Sequence, residues 1–302
     1  MRKPLGAAIF ALAFAGAVAT PAVAAPGAQP ATARPATAQL VTKVAEPTLQ
    51  LVTKVAEPTL QAVSLAGTVV LSNCSGSLVR FPHSVDTDPA LVLSNGHCSS
   101  LLDPGVVITN RPANRPFNLL DASGTQVATL KAAKLAYGTM TDTDVALYEL
   151  TTTYAAIQSS YGVSALTLRD TPPTAGAAIT VASGAWKKLL DCTVDGLPHR
   201  LKEGKWTWKE SVRYSPACQT IGGTSGSPVI DRSTGEVVAV HNTGNENGAS
   251  CTLNNPCEVD ESGNITVRKG INYAAQTYRI PACFTTGNQL DLSAAGCTLP
   301  KP

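Results

Sequence analysis

The sequence predicts an all-β fold, on three observations. Short β-favouring runs recur along the chain, at 67–72, 77–81, 90–94, 106–109, 126–130 and 145–150, then at 177–182, 211–214, 228–230, 236–241 and 264–268. Gly, Pro, Asn and Asp separate them, and no long amphipathic helix competes. Between Tyr154 and Gly176 the series breaks, with Pro172-Pro173 near the end of the gap, so two halves of similar size are expected to meet at about 158–174. A crevice between such halves is where substrate can enter and water can be partly excluded.

Ahead of the strands, Arg2-Lys3, an apolar stretch from Leu5 to Ala19 and the small residues up to Ala25 read as a secretory signal over 1–25. Its apolar core is too short to span a bilayer. Residues 26–63 are read as a pro-segment or linker: they are rich in Ala, Pro and Thr, and 40–50 recur unchanged as 51–61. A proline in each copy rules out one continuous helix, and two copies are too few for a solenoid. The expected mature body is then 64–160 and 161–302, exported and without a membrane anchor. Charged residues are 15% of the chain and the net charge is +2, which gives no strong field for nucleic acid or anionic lipid.

Eight cysteines, Cys74, Cys98, Cys192, Cys218, Cys251, Cys257, Cys283 and Cys297, all follow the signal. An even count in an exported chain reads as a disulfide framework, although eight cysteines allow 105 connectivities. Proximity along the chain suggests Cys192–Cys218, Cys251–Cys257 and Cys283–Cys297. No CxxC pair or Cys/His cluster points to zinc, so no metal is expected.

Three motifs carry chemistry. In Gly222-Gly223-Thr224-Ser225-Gly226-Ser227-Pro228, glycines let a tight turn present Ser225 as a nucleophile with backbone N–H groups beside it. In Leu91-Val92-Leu93-Ser94-Asn95-Gly96-His97-Cys98, a histidine ends a buried-looking strand beside a cysteine that can staple it, the setting of a general base. Asp144 runs directly into the apolar Val145-Ala146-Leu147, where a carboxylate could fix the histidine tautomer. Asp142 reads instead as a solvated turn residue. The order His, Asp, Ser also excludes an α/β-hydrolase, which needs Ser, Asp, His.

With Cys74-Ser-Gly-Ser-Leu-Val, these motifs stand in one order in which the chain resembles the chymotrypsin- and trypsin-like serine peptidases over about 66–282. That resemblance implies two orthogonal six-stranded β-barrels with His97, Asp144 and Ser225 between them. It also implies a Cys74–Cys98 disulfide and an oxyanion hole from the N–H groups of Gly223 and Ser225. The reaction implied is peptide-bond hydrolysis through an acyl-enzyme, with no cofactor. No Ile-Val-Gly-Gly start precedes Cys74, so maturation is expected by removal of residues up to about 63.

The resemblance also maps the primary pocket onto Gln219, Thr220 and Ile221, onto 240–244 and onto 269–271. Gln219 stands where trypsin-type enzymes hold an aspartate. Bacterial glutamyl endopeptidases share a threonine five residues before the serine and a histidine ending the next strand, matched here by Thr220 and His241. With Gly244 and Gly270 they form the expected pocket, and a preference for an acidic residue before the scissile bond (P1) follows. A carboxylate returned by the 245–264 loop would oppose it. Expected partners are polypeptide substrates and proteinaceous inhibitors of a monomer. The alternative is a secreted, catalytically silent binding protein on the same fold.

Overall fold

The computed structural model describes residues 59–302; the signal and nearly all of the repeat lie outside the described residues. The first half contains β1 (Thr68–Val70), β2 (Ser75–Arg80), β3 (Pro89–Ser94), β4 (Val107–Pro112), β5 (Pro116–Leu120), β6 (Gln126–Thr139), β7 (Val145–Thr153) and β8 (Leu166–Thr167). Strands β1-β5-β6-β7-β3-β2 pair in that order, and β2 returns to β1 from Thr68↔Ser77 to Val70↔Ser75, closing a six-stranded barrel. β4 pairs with β6 outside the ring, and β8 adds parallel to β2. A one-turn helix, α1 (Gly96–Ser99), follows β3. An eight-residue helix, α2 (Tyr154–Tyr161), follows β7, capped where the Ala156 N–H donates to the Thr153 hydroxyl.

The second half contains β9 (Ala178–Ser183), β10 (Lys188–Gly196), β11 (Arg200–Glu203), β12 (Trp206–Lys209), β13 (Ser211–Tyr214), β14 (Pro228–Asp231), β15 (Val237–Gly244), β16 (Cys257–Val259), β17 (Ile265–Val267) and β18 (Asn272–Gln276). β10-β13-β18-β15-β14-β9 form the second closed barrel. The predicted run 264–268 is β17, which lies outside that barrel in a sheet ordered β12-β11-β16-β17. All six pairings of this ring are antiparallel.

The uninterrupted apolar run of β3 has a physical reason: both of its faces are covered. Ala90 and Val92 point into the first barrel with Phe117 and Leu119, while Leu91 and Leu93 pack against Ile230, Val237 and Val240 of the second. A separate cluster of Val181, Val212, Val229 and Val238 fills the second barrel. Leu91, Leu93, Ile230, Val237 and Val240 belong to one apolar layer between the two barrels. Val63 also packs on this layer and the Gln61 N–H donates to the Arg232 carbonyl at 2.6 Å, so the end of the predicted leading segment lies on the body.

Four disulfides join Cys74–Cys98, Cys192–Cys218, Cys251–Cys257 and Cys283–Cys297. The first ties the start of β2 to the helix that carries His97. Its sequence separation is 24, and for such a loop the chain-entropy account gives about 3 kcal/mol of stabilisation. Replacing both cysteines by serine is expected to lower the free energy of denaturant unfolding by about that amount; an unchanged midpoint would contradict it. The C-terminal tail returns to the first barrel, where the Asn288 amide donates to the Pro89 carbonyl and to the Tyr154 hydroxyl.

Candidate active site

His97 sits in α1, directly after buried β3, and is fixed from three directions. Gly96 is required beside it: a Cβ there would lie 2.1 Å from the Thr139 carbonyl oxygen and 2.9 Å from Asp144 Oδ1. The backbone N–H of His97 donates to Asp144 Oδ1 at 2.9 Å, and the ring Nδ1 lies 2.6 Å from Asp144 Oδ2. Asp144 is itself fully buried, and the Asn95 amide donates to its backbone carbonyl at 2.9 Å. Asp142, by contrast, pairs with Lys209 at 2.6 Å on the surface, as its solvated reading expects. Burial would push the His97 imidazolium down, but the charge and hydrogen bond of Asp144, with the Glu203 charge, outweigh it and hold the group above its ordinary value.

Ser225 lies in the turn before β14, tied to the other half by a Ser75 N–H donated to its carbonyl at 2.8 Å. Gly226 follows at φ +82°, and a Cβ there would lie 2.0 Å from the Ser75 carbonyl oxygen, so the residue after Ser225 must be glycine. The Ser225 hydroxyl donates to the Asn242 carbonyl at 3.3 Å, and no hydrogen bond joins it to His97 among the described residues. Both side chains line one cleft of about 340 Å³ together with Asp144.

Thr220, His241 and Gly244 line the same cleft. Gly270 does not: at φ +78° it makes the turn into β18 and donates its N–H to the Asn245 carbonyl, while Asn272 reaches the cleft instead. The His241 ring stacks on Tyr214 with its Nδ1 3.4 Å from the phenol oxygen. Burial, and after it the charge of His97, push His241 down to about 3, so it faces the cleft as a neutral imidazole.

A family model described as a trypsin-like peptidase domain matches residues 74–240. The chain belongs to the trypsin-like peptidase family. Comparison with solved structures gives matches at low identity. The active form of the Rv3671c protease from M. tuberculosis is 14% identical, with a TM-score of 0.44 over 79% of this chain and 85% of that one. The MamO protease domain from Magnetospirillum magneticum is 12% identical, with a TM-score of 0.43 over 70% and 93%. A Glu endopeptidase is 16% identical, with a TM-score of 0.41 over 72% and 89%. No curated protein matches the chain.

Two parts of this trypsin-like peptidase site were not expected from its sequence. The hairpin β11–β12 docks on the segments flanking His97 and Asp144: the Trp206 and Trp208 indoles donate to the Leu102 and Met140 carbonyls at 2.8 and 3.2 Å. Trp206, Trp208 and the nearly buried Glu203 thereby line the cleft. The only sequence signal was the alternation Trp206-Thr207-Trp208, which puts both indoles on one strand face. The second part is Trp186, in the turn between β9 and β10, whose indole N–H donates to the Gly222 carbonyl at 2.9 Å.

Proposed function

We propose that the protein is a secreted serine endopeptidase in which Ser225, His97 and Asp144 form the catalytic triad. The contact that carries this reading is the 2.6 Å pairing of His97 Nδ1 with buried Asp144, on a histidine that shares its cleft with Ser225. With Nδ1–H held by the carboxylate, Nε2 is left as the base. The Ser225 hydroxyl turns from the Asn242 carbonyl to give its proton to Nε2 as its oxygen attacks the scissile carbonyl. The C–N bond then breaks as the imidazolium protonates the leaving amine, and water repeats the sequence on the ester to release the acid.

The N–H groups of Gly223 and Ser225 have no protein acceptor among the described residues and are the proposed oxyanion donors. In a trans peptide, C=O and N–H point in opposite directions. By holding the Gly222 carbonyl on its side, Trp186 therefore directs the Gly223 N–H the other way, and this residue has a positioning role. Losing an oxyanion donor outright costs about 10²–10³ in kcat, so loosening one by Trp186→Phe should cost about tenfold with KM nearly unchanged. Steady-state kinetics with an unchanged kcat would refute the role.

Thr220 and neutral His241 offer hydrogen bonds to the P1 side chain, the support for an acidic P1 residue, while Glu246 of the 245–264 loop lines the same cleft and opposes it. The test is mass-spectrometric mapping of peptides released from a denatured protein mixture by the purified protein beside Ser225→Ala. Cleavage lost in the variant supports the triad, and cuts after Glu or Asp support the P1 reading. Cuts after other residues retire that reading and leave the peptidase.

A further inference from the structure

The cleft holds a carboxylate that acyl transfer does not use. Glu203 closes β11 at 4% exposure, and each of its oxygens accepts one hydrogen bond: Oε2 from the Thr243 hydroxyl at 2.6 Å, Oε1 from the Asn254 N–H at 2.8 Å. A carboxylate has about four acceptor positions, so two remain open. Its burial raises the carboxyl above its usual range against these two hydrogen bonds and the His97 charge, and no cationic partner is in contact with it among the described residues.

The surroundings select what could supply that partner. Apart from His97, which is paired with Asp144, the cleft lining holds no cationic side chain: it contains Asp144, Glu203 and Glu246 and no lysine or arginine, and His241 is neutral there. Such a lining attracts a positive group. Beside Glu203, the N–H groups of Trp206 and Trp208 are spent on the Leu102 and Met140 carbonyls, and the indoles border the cleft by their rings at 5% and 3% exposure, with Lys205 Nζ 5.0 Å from the Trp206 ring centroid. Leu101 and Met140 extend this apolar wall. An aliphatic stem on apolar ring surface and a charged head on a carboxylate is how long basic side chains are held.

We propose that Glu203, Trp206 and Trp208 form a subsite for a lysine or arginine side chain of the substrate, on the His97 side of the cleft. The subsite rests on the endopeptidase reading of that cleft and is distinct from the Thr220/His241 wall. A substrate with a basic residue near the scissile bond lowers KM through it, and Glu203 acts as a specificity residue, outside the bond-breaking steps.

The test uses binding, which does not need turnover. Peptides carrying lysine, acetyl-lysine or glutamate at each position from P1 to P4 are titrated calorimetrically into the Ser225→Ala protein, with and without Glu203→Gln. Lysine at one position should bind about 10- to 100-fold tighter than acetyl-lysine, and Glu203→Gln should remove most of the difference while the melting temperature stays within a few degrees. If that variant unfolds, Trp206→Leu with Trp208→Leu replaces it, and the comparison of lysine with acetyl-lysine on the Glu203-containing protein still decides. Equal affinity for the two, or a lysine preference that survives Glu203→Gln, overturns the subsite. Lysine preference in a protein whose Ser225 form cuts no peptide would sink the endopeptidase reading and leave the subsite standing.

Discussion

Replacing Ser225 by alanine should lower kcat by about 10⁶-fold, to the residual rate that binding and oxyanion donors alone provide. The expectation follows from the chemistry: without the hydroxyl no acyl-enzyme forms, and only direct attack by water remains. Stability should barely change, because the hydroxyl makes one hydrogen bond of 3.3 Å to the Asn242 carbonyl and anchors nothing else. Burst kinetics with an active ester substrate separate the two effects. The variant should show no burst and a native melting curve. A burst that persists would place the nucleophile elsewhere.

The second large effect is expected for Asp144→Asn, about 10⁴-fold in kcat near neutral pH. An amide can donate where the carboxylate only accepts, so the ring can take the tautomer that leaves no base facing Ser225. The pH dependence should change in a defined direction. His97 must be neutral to take the serine proton, so kcat/KM rises with pH through the His97 pKa. Asp144 and Glu203 both raise that pKa against the effect of burial, and His241, the other titratable group beside it, is neutral. The limb should therefore lie above the ordinary histidine value in the wild type and move down when either carboxylate is neutralised. A limb that moves up, or stays, would contradict the charge coupling. Hydroxide-assisted recovery at high pH in the Asn variant would fit the tautomer account.

The three site motifs were legible because each is local. A glycine-flanked serine, a histidine at a strand end and an aspartate opening an apolar strand are visible within six or seven residues. The reason Gly96 must be glycine was not visible, since it is the carbonyl of Thr139, more than forty positions away. Glu203 escaped for the same reason: its meaning comes from Thr243 and Asn254, which only the docked hairpin brings to it. The sequence located a possible opposing carboxylate in the 245–264 loop; Glu246 of that loop does line the cleft, and Glu203 joins it from β11.

The fold shows the same division. Apolar runs such as 90–94 and 145–150 mark β3 and β7 because they are buried over most of their length. Of the strands that form the two barrels, β5, β10 and β18 went unread. β18 is Asn-Tyr-Ala-Ala-Gln, with no β-branched residue, and it is a strand because β13 and β15 supply its partners. β10 starts with exposed Lys188 and Leu189 and buries Cys192 and Val194 only because β9 and β13 curl around it. Run 264–268 has strong β propensity yet is wholly exposed as β17, a strand in the sheet outside the barrels. Propensity found the segment, and long-range pairing decided which sheet it joined.

The most direct test of the central claim is to treat the purified protein with a serine-directed organophosphonate and locate the adduct by peptide mass spectrometry. One stoichiometric adduct is expected, on Ser225, and none on His97→Ala although the variant remains folded. Folded wild-type protein that takes up no phosphonate, or takes it up equally without His97, would contradict the triad and turn attention to a silent binding protein on the same fold.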